Sequence, residues 1–283
     1  MISEQQIAEY ASHSFTLPDT CNKLRSMLDD DNTDMDDIAR VIALDPALSS
    51  KLLKLANSSL FRFPSAVSSI SKALNIIGGE AMYNLALVET ANSAFKHFAS
   101  PGIDLVRFWK QSVYCALIAK HLGKHCRIRG SEYLFTIGLL HQLAEVVVAK
   151  MDPEVAQQCQ NLEEEQKPWE RQKEMLGATY AECSAAILRH WQLPEQFCYV
   201  LSNNHNFAKA LDNKEVAILY LSARLALPMA DPSFSQKMGM NEDLMNTLAL
   251  ESYDITNITR LVTMEASQLL AIMNPENFQP TEE

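Results

Sequence analysis

The feature that most constrains this chain is the spacing of its apolar residues, which recur with a helical period through almost the whole sequence. That spacing gives a helix one apolar face, whereas a half-buried strand needs strict alternation. The sequence has only 8 glycines, and β-branched residues rarely alternate with polar ones. We therefore predict an all-α protein.

Local signals predict where several helices begin and end. Proline follows Asp45 and Leu193, and it suits the first helical turn because its missing N–H needs no partner there. Ser69 or Ser71 can cap a helix that stops at Gly78. Breaks are predicted at residues 99–104 and 228–243. Further helices are predicted at residues 3–13, 18–29, 34–44, 46–57, 80–98, 105–125, 131–150, 153–165, 178–191, 194–205, 214–228 and 255–272.

Charge limits the partners that this chain can bind. The 24 Lys and Arg residues are outnumbered by 35 Asp and Glu residues, which gives a formal charge of −11. Binding to nucleic acid or to an anionic membrane depends on clustered cations, so we expect neither partner. No apolar run approaches the length of about 18 residues that a membrane span needs. No signal-peptide pattern opens the sequence.

The six cysteines form no CxxC pair and lie mostly in apolar helical patterns. They are interpreted as small buried residues in a reducing compartment. We therefore expect a cytoplasmic location, with no disulfide framework and no zinc ribbon.

The stretch GLLHQLAEV, residues 138–146, carries a histidine inside an apolar run. Aspartate after His141 would indicate a metal site, but Gln142 stands there instead. A neutral amide is a much poorer ligand for a hard divalent cation than a carboxylate. The pair His141-Gln142 therefore belongs either to an enzyme with one altered ligand or to a protein that has lost hydrolysis.

From Leu17 to about Leu227 the chain resembles the HDOD family, the HD-related output domains of bacterial signalling. The resemblance implies an N-terminal helical subdomain packed on an HD-like helical bundle. The domains would then span residues 1–100 and 101–228. Residues 229–283 fall outside the resemblance, and their apolar periodicity alone predicts a C-terminal helical extension. The stretches that carry the resemblance are LDPALSSKLLKLANSSLF (44–61), SSISKALNIIGGEAMYNLAL (68–87), FWKQSVYCALIAKHL (108–122), LFTIGLLHQLAEVVV (134–148) and EMLGATYAECSAAILRHWQLP (174–194).

The resemblance allows the metal-ligand positions of HD and HD-GYP phosphohydrolases to be compared with this chain. Of the expected histidines, His141 and His205 remain, and the lysine that often follows the HD pair is replaced by Glu145. His141 and His205 are either a remnant metal pair or hydrogen-bonded core residues. Neutral residues stand at the other ligand positions: Gln111, Gln142, Tyr180, Asn204 and Ala223.

These losses favour a non-catalytic regulatory module without a cofactor or metal. It would bind a protein partner in trans or a signalling ligand. A metal-dependent phosphohydrolase acting on a nucleotide or cyclic dinucleotide is the alternative hypothesis, and a purely structural scaffold is a third. The sequence sets neither the partner nor the oligomeric state.

One basic cluster stands out in the acidic sequence. It could hold an anion or a partner, and His121 and His125 have the i, i+4 spacing of a transition-metal pair. Cations at a helix C-terminus, where the helix dipole favours them, are the simpler interpretation. The residues of this basic cluster are Lys120, His121, Lys124, His125, Arg127 and Arg129.

The remaining candidate residues are the three tryptophans and the polar pair Asn57-Ser58. Trp109 and Trp191 lie in apolar stripes and are predicted to be core residues. Trp169 is predicted to lie between helices, exposed or at an interface. Asn57 and Ser58 suit a helix end and turn, and recognition at this corner is the alternative.

Overall fold

In the computed structural model, residues 2–61, 63–235 and 241–278 are described, and they form α-helices but no β-strand. The predicted all-α class is confirmed. The helices are α1 (Glu4–Ser14), α2 (Asp19–Leu28), α3 (Met35–Ala43), α4 (Pro46–Ala56), α5 (Ile70–Ile77), α6 (Gly79–Phe98), α7 (Leu105–His125), α8 (Glu132–Leu140), α9 (Leu143–Met151), α10 (Pro153–Gln160), α11 (Pro168–Leu176), α12 (Tyr180–His190), α13 (Glu195–Ser202), α14 (Phe207–Asp212), α15 (Lys214–Ala230), α16 (Glu242–Leu248) and α17 (Ser252–Met273).

The helices form two compact units. The large unit comprises Met1–Thr16 and Ala94–Val262, and the small unit comprises Leu17–Ser93 and Thr263–Glu283. Each unit therefore combines segments that are far apart in sequence, and the boundaries fall inside α6 and α17. The predicted division at residues 1–100, 101–228 and 229–283 remains a prediction.

Capping in the small unit follows the sequence signals. The Asp45 carboxylate accepts a hydrogen bond from the Leu48 N–H at 2.9 Å, ahead of a proline in the first turn of α4. Ser69, rather than Ser71, caps α5 by accepting from the Lys72 N–H. Gly78 ends α5 with a φ of 82°, a conformation that glycine adopts without strain. These helix ends are confirmed.

Asn57 uses its side-chain amide to hold the turn after α4. Its Nδ2 donates to the carbonyls of Leu53 and Val67 at 2.8 and 2.9 Å, and its Oδ1 accepts from the Val67 N–H at 2.7 Å. The buried Ser58 hydroxyl donates to the Leu55 carbonyl. The predicted turn role of both residues is confirmed, and a recognition role remains a prediction.

Aromatic side chains fill much of the core of the large unit. Phe95 meets Phe108 and Trp109 edge-on, with ring centroids 4.8 and 5.1 Å apart. Trp191 is buried and packs against Phe15. The core positions of Trp109 and Trp191 are confirmed. Five of the six cysteines are also buried, and all six are free thiols.

Three short helices, α11, α14 and α16, were not expected, and the helix predicted at residues 153–165 ends at Gln160. Pro168 occupies the first position of α11, where its missing N–H needs no partner. The Glu170 carboxylate accepts from the Lys167 N–H, and Gly177 ends the helix with a φ of 77°. The prediction that Trp169 lies between helices is therefore wrong, because this residue is on α11.

The second predicted break, at residues 228–243, overlaps the ends of the two helices beside it. Helix α15 continues through Pro228 to Ala230, and α16 begins at Glu242. Of the predicted loop at 228–243, residues 236–240 lie outside the described residues.

The segment Glu132–Met151, which contains α8 and α9, has the length and mean hydropathy of a membrane span. The expectation that no apolar run approaches that length was therefore wrong. Its buried fraction is 83%, which is typical of core helices within a globular protein.

Candidate functional site

The helix predicted over residues 131–150 is interrupted at His141 and Gln142, where α8 gives way to α9. His141 Nδ1 lies 2.7 Å from the Gly138 carbonyl oxygen. That oxygen can only accept, so Nδ1 carries the proton and Nε2 keeps its lone pair. The Ser184 hydroxyl accepts from the Ala144 N–H at 3.0 Å, which satisfies a donor at the start of α9. The break is therefore stabilised from both sides.

Gly138 also lets α8 approach α7 closely. A Cβ atom added at this position would lie 2.7 Å from the Ala116 Cα, which is backbone and cannot move aside as a side chain can. The glycine therefore sets the distance between these helices in the part of the large unit that contains the cavity described next.

A cavity of about 240 Å³ lies in the large unit, beside the break between α8 and α9. It brings together four of the positions singled out from the sequence, Gln111, Gln142, Glu145 and Tyr180. Carboxamides, one ion pair and a few apolar side chains form its wall. The lining residues are Arg107, Gln111, Gln142, Glu145, Cys159, Gln160, Leu162, Pro168, Gln172, Tyr180, Leu227, Asp231 and Phe234.

An ion pair between Arg107 and Glu145 forms part of the cavity wall. The Arg107 Nη1 also donates to Gln111 Oε1 at 3.0 Å. The nearby Glu145 charge raises the pKa of Arg107. Glu145 is only 3% exposed, and its second oxygen, Oε2, accepts no hydrogen bond from the described residues. Sequence reasoning missed Arg107, although it precedes Gln111 by four residues and so lies on the same helical face.

Tyr180 and Gln172 form a second part of the wall. The Gln172 side-chain oxygen accepts from the Tyr180 backbone N–H at 2.9 Å, at the start of α12. Burial raises the pKa of the Tyr180 phenol well above its usual value, and the nearby Glu145 charge acts in the same direction. The phenol therefore stays protonated. Gln172 was missed because its segment was interpreted as a loop.

The two remaining histidines form a separate set of polar groups with Asn204, in which His141 and Asn204 are buried and His205 is half-buried. Burial lowers the pKa of His141 to about 4. Burial also lowers the pKa of His205 well below its usual value, and the charge of Arg224 adds to that effect. In each case the neutral imidazole is the stable form. His141 Nε2, His205 Nδ1 and both Asn204 amide atoms are buried without a hydrogen bond from the described residues.

Aromatic stacking covers His205 on one side. The Trp169 ring stacks on the His205 ring at 4.8 Å between centroids. The Arg224 guanidinium lies 4.3 Å from the Trp169 centroid and 3.2 Å from the Tyr220 centroid. Burial lowers the pKa of Arg224 to about 10, so it remains charged. Trp169 is half-buried within this stack, and Arg224, a charge inside an apolar helix, was a signal that the sequence reasoning missed.

The residues present do not fit a divalent metal site of the HD type. Among the described residues, no group of three His, Cys, Asp or Glu side chains is arranged to hold a cation. The Glu145 carboxylate lines the cavity beside the break, but it is paired with the Arg107 guanidinium, which repels a cation. Ala223 is buried on α15 and offers no ligand atom.

The basic cluster lies apart from the cavity lining, at the end of α7 and in the following turn. Lys124, His125, Arg127 and Arg129 are exposed, whereas Lys120 and His121 are half-buried. His125 Nε2 approaches the Ala249 carbonyl at 3.4 Å. Its location at a helix C-terminus agrees with the dipole interpretation, and its role in binding stays a prediction.

A known protein family matches about two thirds of this chain. The sequence model of the HDOD domain matches residues 15–207. The chain belongs to the HDOD family. An uncharacterized protein of Treponema pallidum is 28% identical to this HDOD chain over 200 residues, which are 69% of the chain and 38% of the Treponema protein. The chain thus spans well under half of that relative.

Solved structures share the HDOD chain's fold. A protein of Shewanella amazonensis, provisionally named a phosphohydrolase, matches with a TM-score of 0.70 at 19% identity, covering 96% of this chain and 97% of the other. An HDOD domain protein of unknown function from Geobacter sulfurreducens matches with a TM-score of 0.65 at 22% identity, covering 98% of both chains. A protein of Marinobacter aquaeolei, provisionally named a signal transduction protein, matches with a TM-score of 0.68 at 19% identity. The match covers 92% of this chain and 59% of the Marinobacter chain.

The residues that line the cavity lie only partly within the region that the HDOD model matches. The lining residues on α7 to α12 lie inside the matched region, whereas Leu227, Asp231 and Phe234 follow it. Part of the wall is therefore built by residues beyond the region that the family model matches.

Proposed function

We propose that this HDOD chain is a regulatory module without catalytic activity, which acts by binding a protein partner or a signalling ligand. The Arg107–Glu145 ion pair carries the proposal. It lies in the same cavity wall as Gln111 and Gln142, which occupy the positions of a metal histidine and of the HD aspartate according to the resemblance. A fixed guanidinium beside neutral amides opposes the binding of a divalent cation.

The charge of the chain indicates what kind of partner it would bind. With a formal charge of −11, the surface would favour a basic face on a protein partner. We place the protein in the cytoplasm, where its free cysteines would stay reduced. Nucleic acid and membrane are not among the proposed partners, and no cofactor is assigned.

The names of the similar structures divide between the two main hypotheses. The Marinobacter protein's provisional name agrees with a signalling role, whereas the Shewanella protein's provisional name agrees with a phosphohydrolase. A hydrolase acting on a nucleotide or cyclic dinucleotide would have to use His141 and His205, which are the ligand-type residues that remain. A scaffold would assemble partners without changing their output.

The deciding experiment combines metal analysis with an activity assay. The protein is purified without chelator or immobilised metal, and its metal content is measured by elemental mass spectrometry. Hydrolysis of bis(p-nitrophenyl) phosphate and of a cyclic dinucleotide is then followed with added Mn²⁺ and Mg²⁺. We expect substoichiometric metal and turnover no greater than that of buffer. An active HD phosphodiesterase run in parallel shows that the assay works.

Two variants identify the source of any activity. His141→Ala removes the retained histidine of the HD pair, and His190→Ala removes an exposed histidine at the end of α12. Near-stoichiometric metal, with turnover lost in His141→Ala and kept in His190→Ala, would overturn the regulatory proposal in favour of the hydrolase.

A further inference from the structure

The Glu145 carboxylate contains a buried oxygen that requires a hydrogen-bond donor. Glu145 lines the cavity and is 3% exposed, and its Oε2 accepts nothing from the described residues. A buried acceptor without a donor is costly, so such groups are usually satisfied by water or by a ligand. This oxygen therefore provides the acceptor half of a recognition site.

Arg107 provides the donor half next to it. A guanidinium carries five N–H groups in a fixed plane. The contacts of Arg107 with Gln111 and Glu145 use Nη1 and Nη2, one bond from each. Further N–H groups of the same side chain remain to donate beside the Glu145 carboxylate. The complement of an adjacent acceptor and donor is a ligand edge with an N–H next to a C=O, which is the lactam edge of a ring.

The charge of the wall argues against a phosphate. Its charged side chains are one cation, Arg107, and two carboxylates, Glu145 and Asp231, so the lining carries a net charge of −1. Arg107 is already neutralised by Glu145. A phosphate would meet excess negative charge, and an added cation at Glu145 would meet the guanidinium. An uncharged ligand avoids both penalties.

Size and wall chemistry limit the ligand further. The volume of about 240 Å³ corresponds to roughly eight water molecules at about 30 Å³ each, enough for one or two rings. Carboxamides of Gln111, Gln142 and Gln160 offer further donors and acceptors, while Leu227 and Phe234 supply apolar surface. Small-molecule sites commonly combine these features.

We infer that this cavity binds an uncharged ring compound through a lactam edge, of the kind found in nucleobases and their nucleosides, with Glu145 accepting its N–H and Arg107 donating to its C=O. The inference rests on the proposed regulatory function and names the class of signalling ligand. It excludes the phosphate-bearing substrates of the alternative hydrolase.

Isothermal titration calorimetry with matched probes tests the inference on the full chain. The probes are inosine and uridine, their derivatives 1-methylinosine and 3-methyluridine, in which the lactam nitrogen is methylated, and the corresponding 5′-monophosphates. We expect at least one nucleoside to bind. Methylation should weaken binding by roughly tenfold or more, since it removes a hydrogen bond to a charged group. The monophosphate should also bind more weakly than its nucleoside.

Variants connect the binding to the cavity. Glu145→Gln should weaken binding at least tenfold, whereas Glu154→Gln, at an exposed carboxylate on α10, should leave it unchanged. Because Glu145→Gln could unfold the chain, Leu162→Trp provides a second variant that fills the cavity from its half-buried wall. Circular dichroism checks that each variant is folded.

Several outcomes would overturn the inference. They are no binding of either nucleoside at millimolar concentration, equal binding of the methylated probes, tighter binding of the monophosphates, or full binding by folded Glu145→Gln and Leu162→Trp. These results leave the regulatory proposal standing if metal-dependent turnover is also absent. Turnover that depends on His141 would instead overturn the proposed function itself.

Discussion

The large unit buries two sets of polar groups and stabilises them in opposite ways. Arg107 and Glu145 form an ion pair with each other. His141 is buried and His205 is half-buried, neither has a carboxylate partner among the described residues, and desolvation holds both rings neutral. The comparison shows two ways in which this unit holds buried titratable groups, by pairing opposite charges and by keeping a group neutral. The two sets should therefore respond differently to mutation and to pH.

Removing one member of the ion pair should give the largest effect. Arg107→Met leaves Glu145 as an uncompensated buried charge, and the free energy of unfolding should fall by about 3–5 kcal/mol. Urea denaturation at pH 7.5 measures the change. The exposed Arg129→Met serves as control and should change stability by less than about 0.5 kcal/mol.

The double variant sharpens this test. Arg107→Met with Glu145→Met removes both charges and should recover most of the lost stability, because the cost lies in the unpaired charge rather than in the absence of the pair. Additive losses in the double variant would show that Arg107 and Glu145 act independently.

Acid should destabilise the histidine set first. The pKa of His141 is about 4 in the folded protein and about 6.5 when unfolded. Between these values the unfolded chain binds more protons than the folded chain. The stabilisation is therefore fully present above about pH 6.5 and is lost as the pH falls towards 4. The loss attributable to His141 should approach about 3 kcal/mol, and the lowered pKa of His205 acts in the same direction.

Urea denaturation at pH 7.5, 6 and 5 follows this loss. His141→Gln should flatten the dependence on pH, whereas the exposed His190→Gln should retain it. An unchanged slope in His141→Gln would mean that other groups cause the acid sensitivity.

A smaller effect is expected from the aromatic cover. Trp169→Ala removes the ring that stacks on His205 and faces Arg224. The unfolding free energy should fall by about 1–3 kcal/mol, and Trp169→Phe should lose less. Water reaching His205 should raise its pKa towards 6.5, which an NMR titration measures. An unchanged His205 pKa in Trp169→Ala would show that the tryptophan does not control its hydration.

Much of the helical pattern could be predicted because it depends on neighbours in sequence. The side chains of Asp45 and Ser69 cap the helices that follow them, and Gly78 ends a helix because it has no side chain. The errors occurred where the same signal has two meanings. Trp169 was predicted to lie between helices, but Pro168 before it begins α11. The apolar run at 131–150 gave no sign of the break at His141, after which the Ser184 hydroxyl of another helix accepts from the Ala144 N–H.

The site could be predicted in part. The neutral residues at Gln111, Gln142 and Tyr180 were identified from the sequence, and the structure places all three around one cavity. The partner of Glu145 could not be identified, because Arg107 lies 38 residues away and becomes a neighbour only when α7 and α9 pack. The stack of Trp169 on His205 was hidden for the same reason.

The sequence by itself therefore determined the all-α class and most helix ends, since these depend on local period and residue identity. Tertiary structure alone decided which charges pair, which imidazoles lose their charge and which chain segments share a unit. The small unit, for example, joins Leu17–Ser93 to Thr263–Glu283. The physical reason is that pairing energy and desolvation depend on distance and burial, and both arise only when helices remote in sequence pack together.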